Sequence, residues 1–214
     1  MRANKDTTIR LANIVLVPYR KEHVAKYHEW MQSAELQELT ASEPLTLEEE
    51  YEMQQKWQDD EDKLTFIICV QSDLGNDGTD TVTTPTGNGS LVMVGDVNLF
   101  LKGSPDDEDF EVEAEIMIAE QQYRRQGIAH KALQLMLSYA TSPASPSPLP
   151  INPASLVVRI GESNGSSIRL FEKLGFVLTK RVEVFHEVEL RFRGNPEEWV
   201  KGTVAQISPS LFVS

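Results

Sequence analysis

The sequence predicts an α/β domain in which about seven strands form one sheet with helices packed on it. Three observations carry that expectation. The chain has 214 residues, 40% hydrophobic and 25% charged, enough for one substantial core and unlike a coiled coil or a disordered chain. Short runs rich in β-branched residues alternate with stretches whose apolar residues recur at helical spacing. Turn-forming residues separate these segments, and no internal repeat is visible.

Ile14 to Val17 is apolar and β-branched and reads as a strand broken by Pro18, after which Val24, Tyr27, His28 and Met31 recur as on a helix. Past the turn Ala41-Ser42-Glu43-Pro44, Thr46 and Glu49 have the form of a capping box, opening a helix that runs to about Trp57. Leu64 to Val70 has the content of a buried strand and makes Cys69 a small interior residue rather than a nucleophile. Residues 71–90, rich in Gly, Thr, Asp and Asn, read as a flexible loop. Leu91 to Leu101 alternates, with a bulge at Gly95 and with Asp96 and Asn98 on one face, either solvated or a polar wall toward substrate.

Phe110 to Ala119 is a strand that aims Glu111, Glu113 and Glu115 one way and Val112, Ala114, Ile116 and Ile118 the other. The helix that follows carries the stripe Ile128, Ala132, Leu135 and Tyr139 and stops at Ser142-Pro143. Residues 141–154 contain five prolines and read as an extended, disordered insertion. Leu156 to Ile160 is a strand, and Ser166 to Leu174 a helix capped by a left-handed Gly175. Phe176 to Arg181 and Val184 to Phe192 are closing strands, with His186 a core or edge residue of the second. The domain spans residues 8–193, and residues 194–214 form a tail.

Charge and cysteine content narrow the function. Thirty-three acidic against 20 basic residues give a net charge of -13, which repels nucleic acid and favours a cationic or amine partner. The single cysteine excludes an internal disulfide, and the histidines lack the spacing of a helical zinc site, so no metal is expected. No run approaches the roughly 18 apolar residues of a membrane span, and no apolar segment follows Met1 as a signal peptide would. A cytoplasmic, or also nuclear, protein without a membrane partner is expected.

Chemistry concentrates in Tyr123-Arg124-Arg125-Gln126-Gly127-Ile128-Ala129-His130-Lys131. A helix that starts where Gly127 allows close approach offers unpaired first-turn N–H groups to an anion. The eight acids between Asp106 and Glu120 have no Lys or Arg among them, yet two arginines follow at once and Lys131 lies a turn further on. From spacing alone, phosphate binding and an ordinary charged helix start stand level. Arg124 to Ala129 also resembles the (Arg/Gln)-x-x-Gly-x-(Gly/Ala) signature of the Gcn5-related N-acetyltransferases (GNAT), and Asn164-Gly165-Ser166-Ser167-Ile168-Arg169-Leu170-Phe171-Glu172-Lys173-Leu174-Gly175-Phe176 resembles that superfamily's second acetyl-CoA motif. Segments such as Val94-Gly95-Asp96-Val97-Asn98 and Met117-Ile118-Ala119-Glu120 extend the likeness over about residues 8–192. They bring it nearest a group of protein N-acetyltransferases whose proposed targets are tubulin N-termini.

The resemblance implies a GNAT fold, a mixed and mostly antiparallel sheet splayed between the Glu111–Ala119 and Leu156–Ile160 strands to take the pantetheine arm of the cosubstrate acetyl-CoA. It implies that backbone groups of Met117, Ile118 and Ala119 bond the arm, and that amides of Arg124, Arg125, Gln126, Gly127, Ile128 and Ala129 hold the pyrophosphate. Asn164 then contacts the arm from the other side, and Phe171 packs near the thioester. For the 3′-phosphate, whose partners the motifs do not fix, charge alone makes Arg125 or Lys131 the candidate. Phe171 stands where the family often carries a thiolate-protonating tyrosine, which removes an acid from that position. A thiol with a pKa of about 8.5 still leaves without full protonation.

The expected reaction is direct attack of a neutral amine on the thioester, with Glu115, and secondarily Glu113, accepting its proton. An α-amino group, with a pKa of about 7.7–8.0, is partly neutral at pH 7, whereas Lys at about 10.4 is not. A protein N-terminus, of the tubulin type by resemblance, is therefore the expected acceptor. Two readings compete: a non-catalytic CoA-binding or microtubule-associated module, and an acetyltransferase of small amines.

Overall fold

A computed structural model describes residues 2–71 and 91–207, so the expected loop lies outside the described residues from position 72 onward. Nine strands form one sheet in the order β7-β8-β6-β5-β4-β3-β2-β1-β9. They are β1 (Thr7–Leu11), β2 (Ile14–Pro18), β3 (Lys63–Gln71), β4 (Leu91–Lys102), β5 (Glu111–Ile118), β6 (Leu156–Gly161), β7 (Phe176–Val182), β8 (Glu187–Phe192) and β9 (Thr203–Gln206). Seven match the expected set. β1 and β9 are additional, and they pair with each other over Thr7↔Gln206 to Arg10↔Thr203. β9 is exposed throughout and has no apolar face of its own, so only its partner specifies it as a strand.

Helices cover both faces. α1 (Val24–Met31), α2 (Ala34–Leu39) and α3 (Leu47–Asp59) lie over one face, and α4 (Ile128–Ala140) and α5 (Gly165–Lys173) over the other. α3 opens with the expected box: Thr46 accepts from the Glu49 amide, and the Glu49 carboxylate accepts from the Thr46 amide at 2.8 Å. Val15, Val17, Ile67, Cys69 and Met117 form the core under α1–α3, whereas Leu16, Phe66, Ile68, Val97 and Leu99 form the core under α4 and α5. The two sets alternate along each strand, as a sheet buried on both faces requires.

Four expectations need correction. The bulge in β4 falls one residue earlier than Gly95: Ile68 pairs with Gly95 and Cys69 with Met93, so Val94 is the extra residue and alternation reverses there. Residues 141–154 are not disordered. Leu149 and Ile151 are buried, the Ile151 amide donates to the Ala140 carbonyl at 2.9 Å, and Ser145 Oγ donates to the Tyr139 carbonyl at 2.7 Å. The two apolar side chains anchor a segment whose proline content suggested otherwise. The segment after residue 193 is built into the fold as far as it is described: Trp199 is buried against Phe192, ring centroids 4.7 Å apart, and β9 joins the sheet. His186 is neither in the core nor in a strand; it is an exposed residue with φ 52°, ending a single turn of 3-10 helix (Glu183–Phe185).

One junction positions the site. β5 and β6 are parallel and pair only at Val112↔Leu156 and Glu113↔Val157, while β4 follows β5 to Gly95↔Ile118. The strands part beyond Glu113. The C-terminal half of β5 thus has one edge in the sheet and one edge open.

Candidate active site

The open edge of β5 leads to the α4 N-terminus. Val94, the bulged residue, accepts the amides of Ala119 at 2.9 Å and Glu120 at 3.2 Å, which ends β5 and turns the chain. Any Cβ at Gly95 would run into the Met117 carbonyl, so glycine is required for the two strands to approach this closely. Successive amides along a strand face opposite edges, and because the Ala119 amide is directed at β4 the Ile118 amide faces the parted side. The Ile118 carbonyl accepts from Arg124 Nε at 2.9 Å, and Arg124 also pairs with Glu35 of α2 at 2.7 Å. Glu120 receives Trp30 Nε1 at 2.9 Å and lies 3.1 Å from Lys26 Nζ, both on α1. Three side-chain tethers therefore hold α1 and α2 over the end of β5.

Gly127 is the N-cap of α4, with φ 77°, no side-chain cap and open space where a Cβ would be; Arg125 is also left-handed at φ 60°. Among the described residues, the amides of Arg125, Gln126, Gly127, Ile128 and Ala129 have no protein acceptor, and the first α4 bond runs from the Lys131 amide to the Gly127 carbonyl. Consecutive unpaired amides at a helix start, with alternating backbone hand, make a concave anion cradle. The Arg124 amide is not part of it, because it donates to the Gln121 carbonyl at 3.1 Å. The cradle begins one residue later than expected, and Arg124 serves instead as the tether to β5 and α2.

Across the gap, Asn164 caps α5: its Oδ1 accepts the Ser167 amide at 3.1 Å and Ser166 Oγ at 2.9 Å. Its side-chain amide remains to contact anything lying between the strands. Phe171 is 2% exposed and sits edge-on to Phe176 at 5.2 Å, an apolar wall with no proton to give. Arg125 and Lys131 are exposed at the mouth of the cradle.

The three glutamates of β5 do share a face, but they differ in surroundings. Glu111 pairs with Arg159 at 2.6 Å and with Arg191; burial opposes its ionisation, yet the two guanidiniums hold its carboxyl below the usual range. Glu113 is buried and pairs with Lys102 and, at 2.8 Å, with Arg159. Glu189 closes the network on Arg159 at 3.2 Å and Arg191 at 2.9 Å. Three acids thus meet three bases. Glu113, expected as a secondary proton acceptor, is committed on both sides to Lys102 and Arg159.

Glu115 makes no ion pair or hydrogen bond among the described residues. Glu115 is exposed, yet crowding by the protein, followed by the charges of Glu113 and Asp96, pushes its carboxyl up to about 7. Asp96 and Asn98 are buried rather than solvated, at 2% and 5% exposure, on the face shared with Glu115. Cys69 is buried and its thiol pushed up to about 12 by burial, which disqualifies it as a nucleophile. The network arginines escaped the sequence reading, since Arg159 lies 46 residues from Glu113 and Arg191 lies 80 from Glu111.

A sheet parted beside an uncapped helix start, with an unpaired carboxyl at the opening, is the arrangement that the resemblance of the motifs implies for an acetyl-CoA-dependent acetyltransferase. A family model described as an acetyltransferase (GNAT) domain matches residues 13–177, and the chain belongs to that family. More narrowly, the chain is 42% identical to the alpha/beta-tubulin-N-acetyltransferase 9 of Drosophila melanogaster, over 97% of this chain and 96% of the relative. It is 44% identical to the Homo sapiens protein of the same name, covering 92% and 88%. Among solved structures, RimL, a ribosomal L7/L12 alpha-N-protein acetyltransferase in complex with coenzyme A, superposes with a TM-score of 0.63 at 15% identity, covering 86% of this chain and 96% of that one. The spermidine N-acetyltransferase of Vibrio cholerae with CoA and spermine gives 0.62 at 16% identity, covering 85% and 94%. The protein is an N-acetyltransferase of the GNAT fold, and acetyl-CoA is its cosubstrate.

Proposed function

We propose that the acceptor is a protein amine, specifically an N-terminal α-amino group, and that Glu115 takes its proton during direct attack on the acetyl thioester. The observation that carries this reading is the contrast within β5. Two glutamates are neutralised by arginines and a lysine, while Glu115, among the described residues, stays unpaired where β5 and β6 have separated. A carboxyl near pH 7 in its proton affinity draws in an ammonium group and matches an α-amine of pKa about 7.7–8.0 far better than a lysine of about 10.4. The unpaired amides from Arg125 to Ala129 would hold the pyrophosphate, and the Ile118 amide, facing the parted edge, would polarise the acetyl carbonyl. Arg125 or Lys131 is assigned the 3′-phosphate. Phe171 keeps water from the thioester without acting as an acid.

A tubulin N-terminus is the first acceptor to test, because the relatives at 42% and 44% identity carry that substrate in their names. Peptides with the α- and β-tubulin N-termini, a blocked version of each, a lysine-containing control and spermidine would be incubated with acetyl-CoA while free thiol is followed. The reading expects release with the free N-termini and little with the blocked peptides. Equal rates on blocked and free peptides would overturn it, and a preference for spermidine would favour the small-amine alternative.

A further inference from the structure

Beneath α1–α3 lies a group of buried oxygens that the reaction just described does not use. Tyr19 Oη, Glu50 Oε2, Thr65 Oγ1, Asp96 Oδ1 and Asn98 Oδ1 have no hydrogen-bond partner among the described residues. An interior ordinarily satisfies such atoms, so a cluster of them in one place calls for a reason. Asp96 is at its centre. Its Oδ2 accepts from Asn98 Nδ2 at 2.7 Å and from the Tyr27 hydroxyl at 3.5 Å, while its Oδ1 accepts nothing.

The register places this carboxylate beside the reaction. Across β4 and β5, Asn98 stands opposite Glu115 and Asp96 opposite Met117, all on one face. Asp96 is therefore the diagonal neighbour of Glu115, about 7–8 Å away for such pairs. The other titratable groups around it are Tyr27 from α1, Tyr19 after β2, Glu50 from α3, Glu113 from β5, Lys63 from β3 and Lys102 from β4. Neither lysine bonds Asp96: Lys102 is committed to Glu113, and Lys63 lies over the Trp57 ring, 4.4 Å from its centroid. Among the described residues, no cation neutralises the buried acid.

We propose that Asp96 is a positioning residue for acetyl transfer: its buried carboxylate, diagonal to Glu115 across the β4–β5 ladder, keeps Glu115 basic enough to accept the proton of an α-ammonium group. This rests on the role given to Glu115 above. In support, burial pushes the Asp96 carboxyl up to about 6, against the opposing bonds from Asn98 and Tyr27, and Asp96 is among the charges that raise Glu115. Two interacting acids titrate as a pair, so the pH at which activity fails belongs to both.

The test is kcat/KM against pH on one N-terminal peptide for the unaltered protein, Asp96→Asn, Asn98→Ala and Glu115→Gln. Removing the Asp96 charge makes protonation of Glu115 less favourable, so the acid limb of Asp96→Asn should move down by on the order of one pH unit. Asn98→Ala removes a donor that keeps Asp96 ionised and should move the limb the same way by less. Glu115→Gln should lose that limb and retain only the one due to the amine. A purely structural Asp96 would lower the plateau without moving the limb, and that result in Asp96→Asn overturns the inference. Should Asp96→Asn fail to fold, an unmoved limb in Asn98→Ala does the same. No transfer by the unaltered protein at any pH would instead overturn the proposed function, and the inference with it.

Discussion

At the scale of single residues, the site is decided by which carboxylates find partners. Alternation along Phe110 to Ala119 put Glu111, Glu113 and Glu115 on one face, and the structure agrees. What alternation could not disclose is that Arg159 and Arg191 arrive from β6 and β8 to occupy two of the three. Glu115→Gln should therefore reduce kcat about 10²–10⁴-fold, the range for loss of a proton acceptor, with acetyl-CoA affinity unchanged by calorimetry. In the unaltered protein the rate should fall as pH drops through about 7, because Glu115 that already carries a proton cannot take the one the amine sheds. Glu50 supplies an independent check on stability. Burial raises its carboxyl to about 7 from an ordinary 4.5, so the folded state binds the proton more tightly and stability is lost as pH rises across that window. Glu50→Gln should gain roughly 1–3 kcal/mol at pH 8 in denaturant titrations and about nothing at pH 4.5. A constant difference at both pH values would contradict the assignment.

At the scale of elements, local signals were legible where the chain specifies its own ends. The Thr46 and Glu49 box opened α3 as expected, and Gly175, at φ 95°, follows α5. The additional strands were not legible because each depends on the other: β9 carries no apolar alternation, and β1 is held between β2 and β9. The 141–154 segment misled for a related reason, since its prolines are local but the pocket that receives Leu149 and Ile151 is not. Ile151→Ala should cost about 2–5 kcal/mol, the range for a buried aliphatic truncation, whereas a disordered segment would cost nothing. Gly127→Ala adds a Cβ at φ 77° where nothing obstructs it, so the fold should survive at a cost of about 1–2 kcal/mol. The strain falls on the cradle, and acetyl-CoA should bind about tenfold more weakly by calorimetry.

At the scale of the whole molecule, the sheet is a continuous platform with one deliberate break. β4 stays with β5 through the bulge at Val94, β6 leaves β5 after Glu113, and α1 and α2 are tied across the opening by Trp30, Lys26 and Arg124. α1 and α2 are thus fastened to the loop that leads into the α4 N-terminus, which ties that face of the sheet to the helix start. Sequence motifs marked the run of unpaired amides before α4 because it is contiguous backbone, and they missed the tethers because those join residues about 90 positions apart. The far end of the chain belongs to this frame as well: Trp199→Ala should lower stability by about 3–5 kcal/mol, and ending the chain at residue 193 should destabilise the sheet. The central claim is that a free protein N-terminus is acetylated from acetyl-CoA with Glu115 as proton acceptor. Mass spectrometry of a tubulin N-terminal peptide after incubation with acetyl-CoA tests it most directly. One acetyl group on the α-amine is expected with the unaltered protein and almost none with Glu115→Gln; equal acetylation by both proteins would rule out Glu115 as the proton acceptor.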